Sequence, residues 1–237
     1  MPKAPRPWIV CPHGPVTRLE DNLHLVESDV PGIPGLRRNM AIVRRADGGL
    51  LFFNGVPVDD AALERIRALG RPDILLVPQH LHTLDAHAFR ERLGLRVFAP
   101  GSTRALTGAV VQVDGAFEDL PADPTTSVVT VRGFRTGEGL LLVRSGERTS
   151  LVVADVVINS PHVGGLAGLA FRLLGMTGER PRLPRPVRLR VLRDRAALRT
   201  QLEELAALPG LARIVPTHGP VWDRDPAGAL REIAASL

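Results

Sequence analysis

Tyrosine is absent, aromatic residues make up 4% of the chain, and cysteine occurs once, at Cys11. A lone cysteine excludes an internal disulfide and suits a reducing compartment, so a cytoplasmic setting is expected. So few aromatics make a poor stacking platform for single-stranded nucleic acid. Lys3 is the only lysine, so the net charge of +5 is carried almost wholly by arginine. That is a mild excess for 237 residues, and no nucleic-acid partner is expected. No stretch reaches the roughly 18–20 apolar residues of a spanning helix. The longest candidate, residues 163–176, is interrupted by Arg172. Residues 1–10 hold three prolines and no apolar run, which is not the pattern of a signal peptide. A membrane partner is therefore not expected.

What is present is ordinary globular material, 44% hydrophobic and 23% charged. A chain of this length buries a sizeable core without help from a disulfide or a metal. No repeat and no long linker divides it, so residues 1–237 are expected to form a single domain. Strand-like runs at 16–19 and 23–27 flank Glu20-Asp21-Asn22, and runs at 40–45 and 50–54 flank Asp47-Gly48-Gly49, a strong hairpin signal. Asp59 or Asp60 caps a helix over 61–69 that Gly70 ends. Residues 73–78 read as a strand buried on both faces. A helix at 86–93 and strands at 96–99, 110–113, 128–131 and 140–144 follow, and 149–158 is the most β-branched stretch of the chain. Residues 164–174 read as a helix and 179–190 as a connection. A helix over 193–208, with Asp194 in its first turn, a strand at 214–215 and a helix over 226–237 complete the chain. This order suggests two sheets face to face with helices on both outer faces, an α/β (α+β) arrangement.

Three of the seven histidines crowd into Val77-Pro78-Gln79-His80-Leu81-His82-Thr83-Leu84-Asp85-Ala86-His87. The segment follows a buried strand and precedes a helix, where binding residues gather in α/β sheets. From an extended loop His80 and His82, two apart, point the same way and can pinch one ion. Asp85 adds an anionic ligand or a partner that fixes an imidazole tautomer. Under a plainer reading these are surface and helix-capping residues, with Asp85 capping the helix from Ala86.

A strand running into His80-Leu81-His82, with Asp85 and His87 just beyond, resembles the His-x-His-x-Asp-His signature of the metallo-β-lactamase superfamily. Leu151-Val152-Val153-Ala154-Asp155 is similar to the strand ending in its bridging aspartate. Ile214-Val215-Pro216-Thr217-His218-Gly219 is similar to the strand ending in its last histidine. The likeness covers about residues 16 to 222 and implies a four-layer αββα metallo-β-lactamase-like sandwich with its site along one edge. The helix start at Asp194-Arg195-Ala196-Ala197-Leu198-Arg199 and the Thr217-His218-Gly219 ending resemble a divergent bacterial branch with an incomplete ligand set.

The departures are specific. With His80 and His82 on the first two family histidines, the family aspartate falls on Leu84 and the third histidine on Asp85. A one-residue insertion aligns Asp85 with the aspartate and displaces His87. The family's Gly-His-Thr-Pro-Gly turn reads Gly133-Phe134-Arg135-Thr136-Gly137, with Phe134 where a ligand belongs. Phenylalanine binds no metal, so a two-metal site is not expected. The resemblance leaves His80, His82, Asp85, Asp155 and His218 to hold one ion, with His87 and His162 as substitutes. Zinc is expected, with iron or manganese as alternatives, or no metal if the set is too far reduced. Asp155 is then ligand or general base, His218 ligand or proton donor, and Arg135 a clamp for an anionic substrate.

The implied activity is metal-dependent hydrolysis of a small ester, thioester, amide or lactone by an activated water. The alternative is a non-catalytic binding or scaffold protein that kept the sandwich without metal. Eight arginines between Arg180 and Arg199 read as a solvated connection and helix face, paired with Glu179, Asp194, Glu203 and Glu204, rather than as a phosphate or membrane-surface patch. The glycines of 163–169 lack the strand–turn–helix spacing of a nucleotide loop; they suit close helix packing or a lid.

Overall fold

The computed structural model describes residues 6–33 and 35–237; Lys3 and the rest of residues 1–5, the start of the proline-rich segment, lie outside the described residues. Strands Thr17–Glu20 (β1), Leu23–Asp29 (β2), Arg37–Arg44 (β3) and Gly49–Phe53 (β4) form an antiparallel meander. Arg71–Leu76 (β5), Arg96–Ala99 (β6) and Gly115–Ala116 (β7) join in parallel, giving seven strands in chain order. Helices Asp60–Leu69 (α1), Ala86–Leu93 (α2) and Arg104–Gly108 (α3) make the crossovers. A second sheet holds Thr126–Thr130 (β8), Gly139–Ser145 (β9), Arg148–Val153 (β10) and Leu211–Pro216 (β11) in the order β11-β10-β9-β8. Gly165–Leu173 (α4), Arg185–Arg190 (α5) and Arg195–Ala206 (α6) lie between β10 and β11, and Pro226–Ala235 (α7) follows.

Alternation along the strands sorts the core into layers, because successive side chains point to opposite faces. Leu50, Phe52, Leu75 and Val77 face outward onto Leu63 and Ile66 of α1 and Phe89 of α2. Leu51, Phe53, Ile74 and Leu76 face inward and meet Leu141, Val143, Val152 and Val215 of the second sheet. Leu151, Val153 and Ile214 point the other way, onto Leu198 and Leu202 of α6 and Leu230 and Ile233 of α7. Three apolar layers between four layers of secondary structure make an αββα sandwich, as the sequence pattern implies.

Caps set the helix starts. Ala62 N–H donates to Asp59 at 2.7 Å, Ala197 N–H to Asp194 at 2.9 Å and Gly228 N–H to Asp225 at 2.8 Å. Asp194 is thus the residue before α6 rather than within its first turn.

Two elements differ from the sequence expectation. Residues 110–113 are no strand: Val110 and Val111 donate back to Thr107 and close the end of α3, and pairing with β6 waits for Gly115–Ala116. Within the β-branched stretch 149–158 the strand stops at Val153, just before Asp155. Thr217 N–H takes the Val153 carbonyl as the last rung, and the Glu138 carboxyl takes Val156 N–H, so the chain turns at Asp155. The connection 179–190 contains α5, which begins just after Pro184 and carries Pro186 in its first turn, where a missing N–H costs little.

Candidate metal centre

Parallel pairing builds the site. Val153 lies opposite Pro216 in the β10–β11 ladder, so Asp155 and His218 leave adjacent strands at the same end. Phe53 lies opposite Leu76 in the β4–β5 ladder, which brings Asn54 beside the loop after β5. His82 in that loop meets Asp155 across the rim of the sandwich, Nε2 to Oδ1 at 3.3 Å. His218 Nε2 stands 3.8 Å from the same oxygen. Ligand atoms of His82, Asp155 and His218 all fall within 4.8 Å of one another, the one such group among the described residues.

Each imidazole is oriented by a partner on its far nitrogen. His82 Nδ1 is 3.1 Å from Asn54 Oδ1. The Asn54 amide nitrogen is already committed, donating to the Asn39 carbonyl at 2.7 Å, so its oxygen faces the histidine. His218 Nδ1 is 3.1 Å from the Arg37 carbonyl. Both acceptors call for a proton on Nδ1, which leaves both Nε2 lone pairs aimed at the Asp155 carboxylate. Burial holds the His218 imidazole below its ordinary pKa, against the opposing pull of Asp155. Burial also works to raise the Asp155 carboxyl, but the positive charge that His82 and His218 carry when a proton stands on Nε2, with the Gln79 amide, keeps it well below the usual carboxylate range.

Three lone-pair donors facing one another repel unless a proton or a metal ion stands among them. Two neutral imidazoles, each with its outer N–H bound, and one carboxylate make the donor set of a zinc-type centre. Donor atoms on a tetrahedral zinc with bonds of about 2.0–2.1 Å lie about 3.3 Å apart; His82 and Asp155 stand at that spacing, and His218 and Asp155 at 3.8 Å. The residues fit the ion. Asp155 keeps 22% of its side-chain surface and lines a cavity of about 290 Å³, so one approach stays open. Leu36, Leu81, Ile158, Met176 and Val187 supply apolar walls, with His218 beside Asp155.

Tight backbone packing supports the cluster. Asn39 N–H donates to the Thr217 carbonyl, and its side-chain amide donates to the carbonyls of Pro216 at 2.8 Å and Gly219 at 2.7 Å. Gly219 has φ +94°, and a Cβ there would collide with the Asn159 carbonyl, so only glycine turns the chain after His218. Asn54 has φ +64°, the one left-handed non-glycine among the described residues. Its strain sits where its amide orients His82.

The other sequence candidates are placed elsewhere. His80, Leu81 and His82 form one 3₁₀ turn rather than an extended loop, so side chains two apart diverge. Only His82 reaches Asp155; His80 lies outside the cluster, with Nδ1 buried and unpartnered. Asp85 precedes α2 but makes no side-chain cap; its buried carboxylate meets Arg38 at 2.6 Å and Arg6 at 3.5 Å. His87, on α2, borders a surface hollow with Trp8 and Glu91. Arg135 is exposed and donates its backbone N–H to Val191, while Phe134 packs against the second apolar cluster. His162 is exposed, its Nδ1 3.1 Å from the Thr177 hydroxyl.

Asn54, Gln79, Asn39 and Glu138 are site residues that sequence reasoning did not single out. Glu138 is buried, accepts from Val156 N–H at 2.8 Å, and burial, reinforced by Asp155, pushes its carboxyl well above the ordinary range. An Asn-Gly pair closing a strand was the available signal for Asn54, and it reads equally as a turn.

No family model and no curated protein matches this sequence. Solved structures do. A DIM-1 metallo-β-lactamase exposed to ceftazidime aligns with a TM-score of 0.63 at 15% identity, over 93% of this chain and 96% of its own. A metallo-β-lactamase from Pontibacter korlensis gives 0.61 at 13%, over 94% and 99%. The FIM-1 metallo-β-lactamase from Pseudomonas aeruginosa, in its mono-zinc form, gives 0.60 at 14%, over 94% and 96%. These alignments span nearly the whole of each chain: this chain has the metallo-β-lactamase fold.

Proposed function

We propose that the protein is a metal-dependent hydrolase holding one ion, zinc in first place, on His82, Asp155 and His218. The convergence of two outward-fixed imidazoles and a carboxylate on one point carries this reading. Bound there, a zinc-type ion supplies Lewis acidity and lowers the pKa of water towards neutrality. Asn54 and the Arg37 carbonyl hold the two rings in the ligand tautomer. Gln79 donates to Asp155 Oδ2, leaving Oδ1 directed at the histidines. The apolar walls of the adjoining cavity exclude bulk water and hold the body of a small ester, thioester, amide or lactone. A solved neighbour in a mono-zinc form is consistent with one ion sufficing.

Elemental analysis of the protein as isolated tests the ion, with about one equivalent of zinc, iron or manganese per chain expected. His82→Ala, Asp155→Ala and His218→Ala should each abolish it. A panel of small esters, thioesters and lactones then tests turnover. A metal-free protein that neither takes up these ions nor hydrolyses any of the panel would support a non-catalytic binding role instead.

A further inference from the structure

Ordinary surface helices bury their leucines and expose small or polar residues. Helix α4 does the reverse. Gly168 faces the protein, close enough to the Val163 backbone that a Cβ would collide with it. Leu166, Leu169 and Leu173, spaced as one helical stripe, are 87%, 55% and 65% exposed. Helix α5 abuts the end of α4, Arg185 donating its backbone N–H to the Leu174 carbonyl and its guanidinium to that of Leu173. Leu189, on α5, is 73% exposed. Five of the twelve large hydrophobics exposed among the described residues fall within this short stretch, Leu174 included.

Charge surrounds the patch. Residues 163–193 hold seven arginines and a single acid, Glu179. Among the described residues only Arg180 of the seven has a carboxylate partner, Glu232, and none meets Glu179 or Asp194, two of the partners expected for the run 180–199. Arg172, Arg185 and Arg188 have no acid within ion-pair reach among the described residues, while Arg190 lines the cavity on the other side. A two-fold pairing of this face with a second copy would bring like charges together. An anionic lipid surface accepts both the leucines and the arginines.

We propose that the α4–α5 face docks the protein peripherally on an anionic bilayer, with Leu166, Leu169, Leu173 and Leu189 entering the headgroup region and the neighbouring arginines meeting lipid phosphates. This is contact with a surface, not a span; no helix among the described residues is long and apolar enough to cross a membrane. The opposite side of the same segment, through Met176, Pro186 and Val187, lines the cavity beside Asp155 and His218. Docking and the cavity wall therefore share one segment of the chain, on opposite sides of it.

Vesicle co-flotation of the full chain tests this, with phosphatidylcholine alone and with about one third phosphatidylglycerol, at about 0.1 M salt. Binding to the anionic vesicles should be at least about tenfold tighter than to neutral ones. The Leu169→Asp/Leu173→Asp double variant should lose about tenfold or more of it, with its circular dichroism unchanged. In a Leu169→Trp variant, emission should shift to the blue on anionic vesicles, against the unchanged background of Trp8 and Trp222. Three results would each overturn the proposal: equal or absent binding to both vesicles; binding indifferent to the leucine variants, which would mark bare electrostatics; or a dimer that the Asp variant dissociates.

Discussion

Asp85 occupies a position that the fold's metal signature makes attractive, yet its surroundings are those of a buried ion pair, and Arg38→Leu separates the two roles. The Asp85 carboxylate has 0% side-chain exposure and Arg38 6%, with 2.6 Å between them. Removing one member of such a pair leaves a charge in the interior and costs about 3–5 kcal/mol. Arg6, 3.5 Å away and 21% exposed, offers partial compensation, which favours the lower end of about 3 kcal/mol. In a chain of this size each kcal/mol moves Tm by roughly 2–4 °C, so a fall of about 6–12 °C is expected. The double variant Arg38→Leu/Asp85→Leu should recover most of the loss, because an apolar pair of similar volume often replaces a buried ion pair at little cost. Thermal and urea unfolding followed by circular dichroism measure the cycle, and metal content measured on every variant should stay constant. A cost for Arg38→Leu under about 1 kcal/mol, or loss of metal in Asp85→Asn, would refute the reasoning and return Asp85 to the ligand set.

Asn54→Ala removes the acceptor that orients His82 and should weaken zinc affinity about 10–100-fold in a chelator competition, whereas Asn54→Gly, which relieves the positive φ, should do so without further loss of stability. Gly219→Ala should destabilise the fold and disturb the His218 turn together, read as a lower Tm and reduced metal content in the same sample. Burial works to raise the Asp123 and Asp114 carboxyls, but hydrogen bonds from Thr125 and Ala46 to the first, and from Arg90 and Val97 to the second, with the nearby arginine charges, leave both below the ordinary value. Their contribution is therefore complete above the unfolded pKa of about 3.9 and is lost as pH falls through the lower folded values. Tm should hold roughly level down to about pH 5 and drop below about pH 4, less steeply in Asp123→Asn.

Much of the sandwich was legible because its signals are local. Leu50-Leu51-Phe52-Phe53 alternates between two apolar layers, and Asp59 and Gly70 bracket α1 as capping chemistry dictates. What was missed depended on contacts across the chain. Val110–Val113 has strand composition, but its backbone is claimed by Thr107. Arg185–Arg190 looked like a connection because its prolines mark a helix start only when a neighbour such as Leu174 closes the turn. In the site, the order of His82, Asp155 and His218 along the chain was visible, but which histidine of the 80s loop faces the aspartate was not. That depends on a single tight turn, and the two-residue spacing of His80 and His82 reverses its meaning when the turn replaces an extended segment. Asn54 and Gln79 could not be read at all, since their partners lie 28 and 76 residues away.

The amide of Asn39 joins structures that otherwise belong to different sheets. Through the Asn39 carbonyl it is coupled to Asn54 and so to the His82 ring; through its side chain it grips the turn that presents His218. A run of hydrogen bonds thus links the two histidines around the rim through Asn39. Substituting this one residue should loosen both halves of the rim in concert, so that slow exchange broadening in the two imidazole resonances appears together or not at all.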